Sequence, residues 1–266
     1  MPNPVLYEQD GHVVTLTLNR PDELNAFSDP TMIKAFLDAL DKVRKSNDVR
    51  AVIVTGAGRA FSSGGNIKHM RDRVDMFEGG PAQIRQAYID GIQKVPLSFY
   101  HLDIPVIAAI NGPAFGAALD LVCMSDIRIA NPTATFGAPF VKIGITPGDG
   151  AAWFLPRIIG QAKAAEMIFT GEAINADEAL RAGLVSKIVE PDDLISEANI
   201  IAQKIADNAP LAVRLSKKLL RDGQQNTLES HLDLCATYQG IAHHSDDHME
   251  AINAFFEKRK GKFKGN

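Results

Sequence analysis

Two β-branched runs that each stop at a glycine set the frame of this chain: "VRAVIVTG" at 49–56 and "PVIAAING" at 105–112. Runs that stay apolar at consecutive positions suit strands covered on both faces, as in parallel sheets flanked by helices. Each run is followed by a glycine-bearing junction and a helical pattern: "AGRAFSSGGNIKHM" after the first and "AFGAALDLVCMS" after the second, before a further strand in "DIRIAN". Upstream, "VLYEQDGHVVTLTLN" reads as a hairpin turning at Asp10-Gly11. Ser28-Asp29-Pro30 reads as a helix start, with Met32, Phe36, Leu40 and Val43 on one apolar stripe. The alternation predicts an α/β fold with binding loops at the strand ends. From Gly160 onward helical patterns dominate, interrupted by one short strand in "LVSKIVE". A boundary at Asn208–Pro210 divides an α/β core, residues 1–208, from a helical region, residues 209–266.

Bulk properties narrow the partners. The chain has 266 residues and a formal net charge of −4, which argues against a nucleic-acid or anionic-membrane partner. The helix pattern in "TMIKAFLDALDKVRKSNDVR" mixes Asp38, Asp41 and Asp48 with its Lys and Arg and makes no basic stripe for RNA. No apolar run reaches the length of a membrane span, and "MPNPVLYEQDGHVV" carries no secretion signal. Cys123 and Cys235 have no local pairing motif, so both are expected as buried thiols in a reducing, cytoplasmic compartment.

The sharpest local features are two glycine-rich junctions, "SSGGNI" at 62–67 and "NGPAFGAALD" at 111–120. Glycine permits positive φ and close backbone approach, so each junction can present bare N–H groups. At the second, a helix begins just after the glycines and turns its unpaired N–H groups toward the junction. Two such donors converging on one point would form an oxyanion hole; without convergence they are turns and nothing more.

These segments resemble the enoyl-CoA hydratase/isomerase (crotonase) superfamily. "NRPDELNAFS" is similar to its early NRP…NA motif, "GRAFSSGGNIK" to its Gly-x-Asp loop, and "PVIAAINGPAFGAALDLVCMSDIRIA" to its most diagnostic block. "FTGEAINADEALRAGLVSKIV" and "SDDHMEAINAFFEKRKGKF" match further blocks in the same order. The resemblance implies a spiral of ββα units with C-terminal helices that build a homotrimer or a dimer of trimers. It also implies an acyl-CoA substrate whose thioester carbonyl sits between two backbone N–H groups, here those of Gly65 and Ala117. By the same motifs, Ala26, Gly65, Asn66, Ile67, Lys68, Phe140 and Lys258 are expected along the CoA or acyl moiety. Asn66 stands where the family usually has Asp and is given no catalytic role. No metal and no cofactor beyond the substrate's coenzyme A is expected.

Family hydratases use two glutamates. The first position is Asp120 here, three residues after Ala117 and so on the same helix face. The second, after "FG-x-P", is Phe140, which can neither transfer a proton nor hold a water. The two-glutamate mechanism is therefore absent as such. Asp149, in "GITPGDG", is the candidate replacement, and a similar "PGDG" occurs in family members that cleave cyclic β-diketones. Two readings of Asp149 stand: an acid/base group, or an N-cap for the helix beginning at "GAAWFLPRIIG", whose lowered pKa would make it a poor base. Hydration or dehydration of an enoyl-CoA is the leading reaction, with Asp120 and Asp149 as acid/base groups. The alternatives are crotonase-fold hydrolysis of a thioester or carbon–carbon bond, and CoA-ester binding without turnover. His243, His244 and His248 fall in a block with a non-metal family match and are read as surface; His69 and His101 carry no motif; Trp153 and Phe154 are expected in the core.

Overall fold

The computed structural model describes residues 3–266; residues 1 and 2, the start of the segment read for a secretion signal, lie outside it. The chain opens with the expected hairpin, β1 (Val5–Asp10) and β2 (Val13–Leu18), paired antiparallel with Asp10 opposite Val13. The two loop residues are Gly11, at φ 53°, and His12, one position later than expected, because Asp10 still belongs to the ladder. Helix α1 (Pro30–Lys45) starts as its sequence requires: the Asp29 carboxylate accepts from the N–H groups of Thr31 and Met32, and Pro30 occupies the first turn. Its stripe of Met32, Phe36, Leu40 and Val43 is buried.

Strands β3 (Ala51–Gly56), β4 (Val106–Ile110), β6 (Ile127–Ala130) and β9 (Lys187–Ile188) join the hairpin in one six-stranded sheet, ordered β1-β2-β3-β4-β6-β9 and parallel from β2 onward. Strands β5 (Ala114–Phe115), β7 (Thr135–Gly137) and β8 (Ala173–Asn175) form a second, three-stranded sheet. From β4 to β7 the chain alternates between the two sheets, which makes the spiral. The "LVSKIVE" strand is only two residues long, since β9 pairs with β6 at Lys187 and Ile188 alone.

Period-two alternation divides the large sheet between two cores. Val14, Leu16, Val52, Val54, Val106, Ala108 and Ile110 face the larger one with α1. Val13, Ala51, Ile53, Ile107, Ala109 and Ile129 face α9 (Leu194–Ala206), which meets them with Leu194, Ala198, Ala202 and Ala206 at four-residue spacing. Small residues on that stripe let the helix lie close on the strands.

Between β3 and β4 lie α2 (Ile67–Asp72), α3 (Pro81–Asp90) and α4 (Lys94–Tyr100); α5 (Ala117–Met124) follows β5; α6 (Ala151–Ile159), α7 (Gln161–Thr170) and α8 (Ala176–Arg181) follow β7. The last helices are α10 (Pro210–Asp222), α11 (Leu228–His243) and α12 (Asp246–Phe256). They attach to the core mainly through polar groups. Lys217 pairs with Asp126 at 2.6 Å, Arg214 and Arg221 donate to the carbonyls of Val49 and Tyr100, and Arg50 donates to those of Ala206 and Phe263. Some of their apolar residues face outward: Leu220, Leu228, Phe255 and Phe256 are each more than 70% exposed, while Leu211, Val213, Leu215 and Leu219 are half-buried.

Two further expectations are corrected. Phe154 is half-buried and packs against the main core as expected, but Trp153 lies in a surface groove with the Arg157 guanidinium 4.0 Å from its ring centre. Cys123 is buried, but Cys235 is half-buried on α11, a helix with no buried residue. Among the described residues no helix is long and apolar enough to cross a membrane.

Candidate active site

The two glycine junctions come together through backbone pairing. Ser62 forms a parallel bridge with Ala114, its N–H donates to the Pro113 carbonyl, and the Phe115 N–H donates to the Ser62 carbonyl. Gly64, at φ 76°, then passes so close to β5 that a Cβ there would collide with the Phe115 carbonyl oxygen and lie 3.1 Å from the Ala117 nitrogen. Only glycine allows that approach. Gly116 at φ 54°, ψ −124° makes the sharp entry into α5, again a conformation for glycine.

As a result Gly65 and Ala117 line one cavity. Among the described residues neither of their N–H groups donates to any protein acceptor, although their neighbours' do: Gly64 to the Ser62 hydroxyl, Asn66 to the Ser28 hydroxyl, Gly116 to the Gly137 carbonyl. The Ala117 N–H is free because it opens α5 and the Gly65 N–H because its loop offers no acceptor among the described residues, and both residues line the same cavity.

Two asparagines hold this geometry. Asn25, fully buried at φ 54°, donates to the carbonyls of Ala57, Ala60 and Phe61 and accepts from the Arg20 N–H. Asn111 accepts from the Gly56 N–H and donates to the Gly58 carbonyl. Each ties a loop that would otherwise leave carbonyls unpaired.

The cavity, about 70 Å³, is walled by Ile67, Met70, Met76, Phe77, Tyr88, Ile92, Phe140, Ile143 and Ile145. Its polar lining comes from Ser28, Ser63, Thr146 and one acidic residue, Asp149. The capping reading of Asp149 is overturned: the residue at the N-cap of α6 is Gly150, at φ 116°, and no side chain caps that helix. The Asp149 Oδ1 is buried without a hydrogen-bond partner. Burial raises the pKa of Asp149 from 3.8 to about 7.

Asp120 lies behind it. It is wholly buried on α5 and does not line the cavity, and among the described residues neither of its oxygens meets a donor in good hydrogen-bond geometry, the Ala151 N–H being the nearby donor. Burial first, and the Asp149 charge second, push its pKa well above the usual carboxylate range; the Ala151 N–H pulls weakly the other way. The two carboxyls titrate as a coupled pair, each raised by burial, so that a charge on one disfavours a charge on the other. The same field reaches two neighbours. Burial and then Asp149 raise the Tyr88 phenol to about 12, and burial and then Asp120 raise the Cys123 thiol. Both stay neutral near pH 7.

Phe140 occupies the wall where a second glutamate was sought: a Cβ on Gly116 would lie 3.7 Å from its ring. Of the residues expected along the ligand, Gly65, Ile67 and Phe140 line the cavity, whereas Ala26, Asn66, Lys68 and Lys258 do not. Asn66 is committed elsewhere, its side chain capping α2 by accepting from the Lys68 N–H. His69 pairs with Asp75 at 2.8 Å, His101 is exposed, and His243 contacts His248 at the surface. Among the described residues no group of three His, Cys, Asp or Glu is placed to hold a metal. Sequence reasoning missed Ser28, whose signal was absorbed by the helix start, and Tyr88, which lies on a polar helix with no motif.

Comparison with known proteins matches this geometry to a chemistry. Residues 8–266 match the family described as Enoyl-CoA hydratase/isomerase. The short-chain-enoyl-CoA hydratase of Clostridium acetobutylicum is 41% identical over 97% of this chain and 96% of its own. The 1,2-epoxyphenylacetyl-CoA isomerase of Escherichia coli is 33% identical over 98% of both. Among solved structures, the enoyl-CoA hydratase of Bacillus anthracis superposes with a TM-score of 0.92 at 34% identity, covering 99% of this chain and 100% of that one.

Proposed function

Since the chain belongs to the enoyl-CoA hydratase/isomerase family, we propose that it adds water reversibly across the double bond of an enoyl-CoA, using one cavity-facing carboxylate where family hydratases use two. The observation that carries this is the meeting of two undonated N–H groups, Gly65 and Ala117, with the Asp149 carboxyl in a single apolar cavity.

The thioester oxygen accepts from both N–H groups. As water adds at the β-carbon, charge moves onto that oxygen, and each donor is worth about 3–4 kcal/mol to the transition state. Asp149, ionised above pH 7, takes the proton that the attacking water releases. It then returns a proton to the α-carbon, so that hydroxyl ends on the β-carbon and hydrogen on the α-carbon. With Phe140 in place of a second carboxylate, both groups arrive from the Asp149 side. Asp120, kept neutral, is a positioning residue that holds its proton beside Asp149. The reading calls on no group beyond the coenzyme A of the substrate.

For the CoA portion we assign Ala26, Asn66, Ile67, Lys68 and Lys258 on motif position, with the exposed Lys68 and Lys258 suited to phosphates. The outward apolar residues of α10–α12 support assembly of the 209–266 helices into a homotrimer or dimer of trimers. The free thiols favour a reducing compartment such as the cytoplasm.

The test is hydration of crotonyl-CoA, followed by loss of enoyl-thioester absorbance and identification of the 3-hydroxyacyl product by mass. Asp149→Asn should lower kcat by about 10²–10⁴-fold. Unchanged turnover in that variant would remove Asp149 from the mechanism.

A further inference from the structure

Three spaces meet at two side chains. The catalytic cavity of about 70 Å³, a groove of about 680 Å³ beneath α2 and α3, and an outer groove of about 400 Å³ beside Arg85 and Gln93 are all lined by Tyr88 and Ile145. The small cavity holds the two N–H groups and Asp149; the larger grooves hold neither. The catalytic cavity also shares Ile67, Met70, Phe77 and Ile143 with the second groove, so an acyl chain that starts at the oxyanion site reaches the room beyond past a common wall, in which Tyr88 and Ile145 are the side chains that face all three spaces.

Tyr88 is held in this position. Its ring lies against Gly148, where a Cβ would approach Cε1 at 2.7 Å, and the Gln93 side chain donates to the Gly148 carbonyl at 2.9 Å. Helix α3 has no buried residue of its own, so the half-buried Tyr88 is a main contact by which that helix docks on the loop before Asp149. The volume decides what fits on the near side. At about 70 Å³ the near side has less than half the volume of a cavity of about 150 Å³ that admits benzene, which favours a short linear tail over a ring.

We propose that Tyr88, backed by Ile145, closes the acyl end of the catalytic cavity and limits this chain to short, linear acyl-CoA substrates. This rests on the CoA-thioester reading above. Opening the wall connects the cavity to the groove beyond it, which shares Phe77 and Ile143 with the cavity and adds Ile84 and Pro81 as apolar lining for a longer chain.

The experiment measures binding of saturated, unreactive acyl-CoA esters from butanoyl to octanoyl by calorimetry, alongside hydration of crotonyl-CoA. In the wild type, affinity should stop rising beyond about four to six carbons. In Tyr88→Ala it should go on rising, by about fourfold per methylene. That makes octanoyl-CoA about a hundredfold tighter than for the wild type. Tyr88→Phe, which keeps the ring, should keep the limit. Ile145→Ala tests the same wall from the loop side in case α3 detaches in Tyr88→Ala. Wild-type affinity that climbs steadily to octanoyl, or an unchanged length profile in both alanine variants, overturns the gate. Butanoyl-CoA binding with this limit but no hydration of crotonyl-CoA overturns the reaction and leaves the gate standing. No binding of any ester overturns both.

Discussion

Replacing Asp149 by Asn should make the protein nearly inactive and, at alkaline pH, more stable. Asp149 has a folded-state pKa of about 7 against 3.8 unfolded, through burial in an apolar wall. Below pH 3.8 the carboxyl is protonated in both states and carries no penalty. As pH rises from 3.8 to 7, the unfolded chain releases this proton and the folded chain keeps it, so stability falls by about 1.4 kcal/mol per pH unit. Above pH 7 the loss levels off, at roughly 4 kcal/mol for a difference of about three units. The amide of Asn has nearly the same shape and no charge, so it removes this dependence while keeping the wall filled. Urea unfolding of wild type and Asp149→Asn at pH 5 and pH 8, at one fixed protein concentration, measures it. The wild type should lose about 2–3 kcal/mol more than the variant between these two pH values. Parallel losses would refute the reasoning, because they would mean that Asp149 titrates near its ordinary value and is hydrated in the folded protein. A protein that keeps such a group holds a destabilising charge where the proposed reaction uses it.

Other outcomes follow from the same geometry. The kcat/KM of the wild type for crotonyl-CoA should rise with pH through about 7, since Asp149 acts as base only when ionised, and a flat profile from pH 5 to 8 would contradict that role. Phe140→Glu places a second carboxyl in the cavity wall and should move that transition above 7 by like-charge repulsion; a transition left in place would mean that the introduced carboxyl points away from Asp149. Gly64→Ala should abolish activity, because its Cβ cannot coexist with the Phe115 carbonyl and the Ala117 amide must move; full activity would show that the two junctions need not approach so closely. Asn25→Ala leaves buried carbonyls at Ala60 and Phe61 short of a donor and should destabilise by about 1–3 kcal/mol in thermal or urea unfolding. Phe255→Asp with Phe256→Asp should reduce the assembly to monomers in light scattering, and an unchanged mass would place those rings outside the subunit interface.

Much of the frame was legible before any coordinates, for a local reason. Strand runs such as "AVIVTG" announce themselves through consecutive β-branched residues, and α1 through Asp29, Pro30 and a 3.6-residue stripe. The glycine junctions were visible as candidate donors because glycine's conformational freedom belongs to the residue itself. The family blocks then marked Gly65 and Ala117, and both line the cavity.

Convergence was another matter. That Gly65 and Ala117 open into one space depends on the Ser62–Ala114 bridge, which joins residues far apart in the chain and has no signature in either segment. Whether Asp149 caps a helix or faces a cavity turns on the Gly150 backbone, because φ and ψ, not the residue type, aim a side chain. The two aspartates look equivalent in sequence, yet the fold puts Asp149 on the cavity and Asp120 behind it, and burial raises the pKa of both. Tyr88 could not be found at all from its surroundings, since a tyrosine on a polar helix gains meaning only from the loop it packs against. Sequence alone determined the fold, the family and the parts of the site, because those follow from local pattern. Tertiary structure decided which carboxyl lines the cavity and which side chains wall it, because burial and cavity shape are properties of what surrounds a residue.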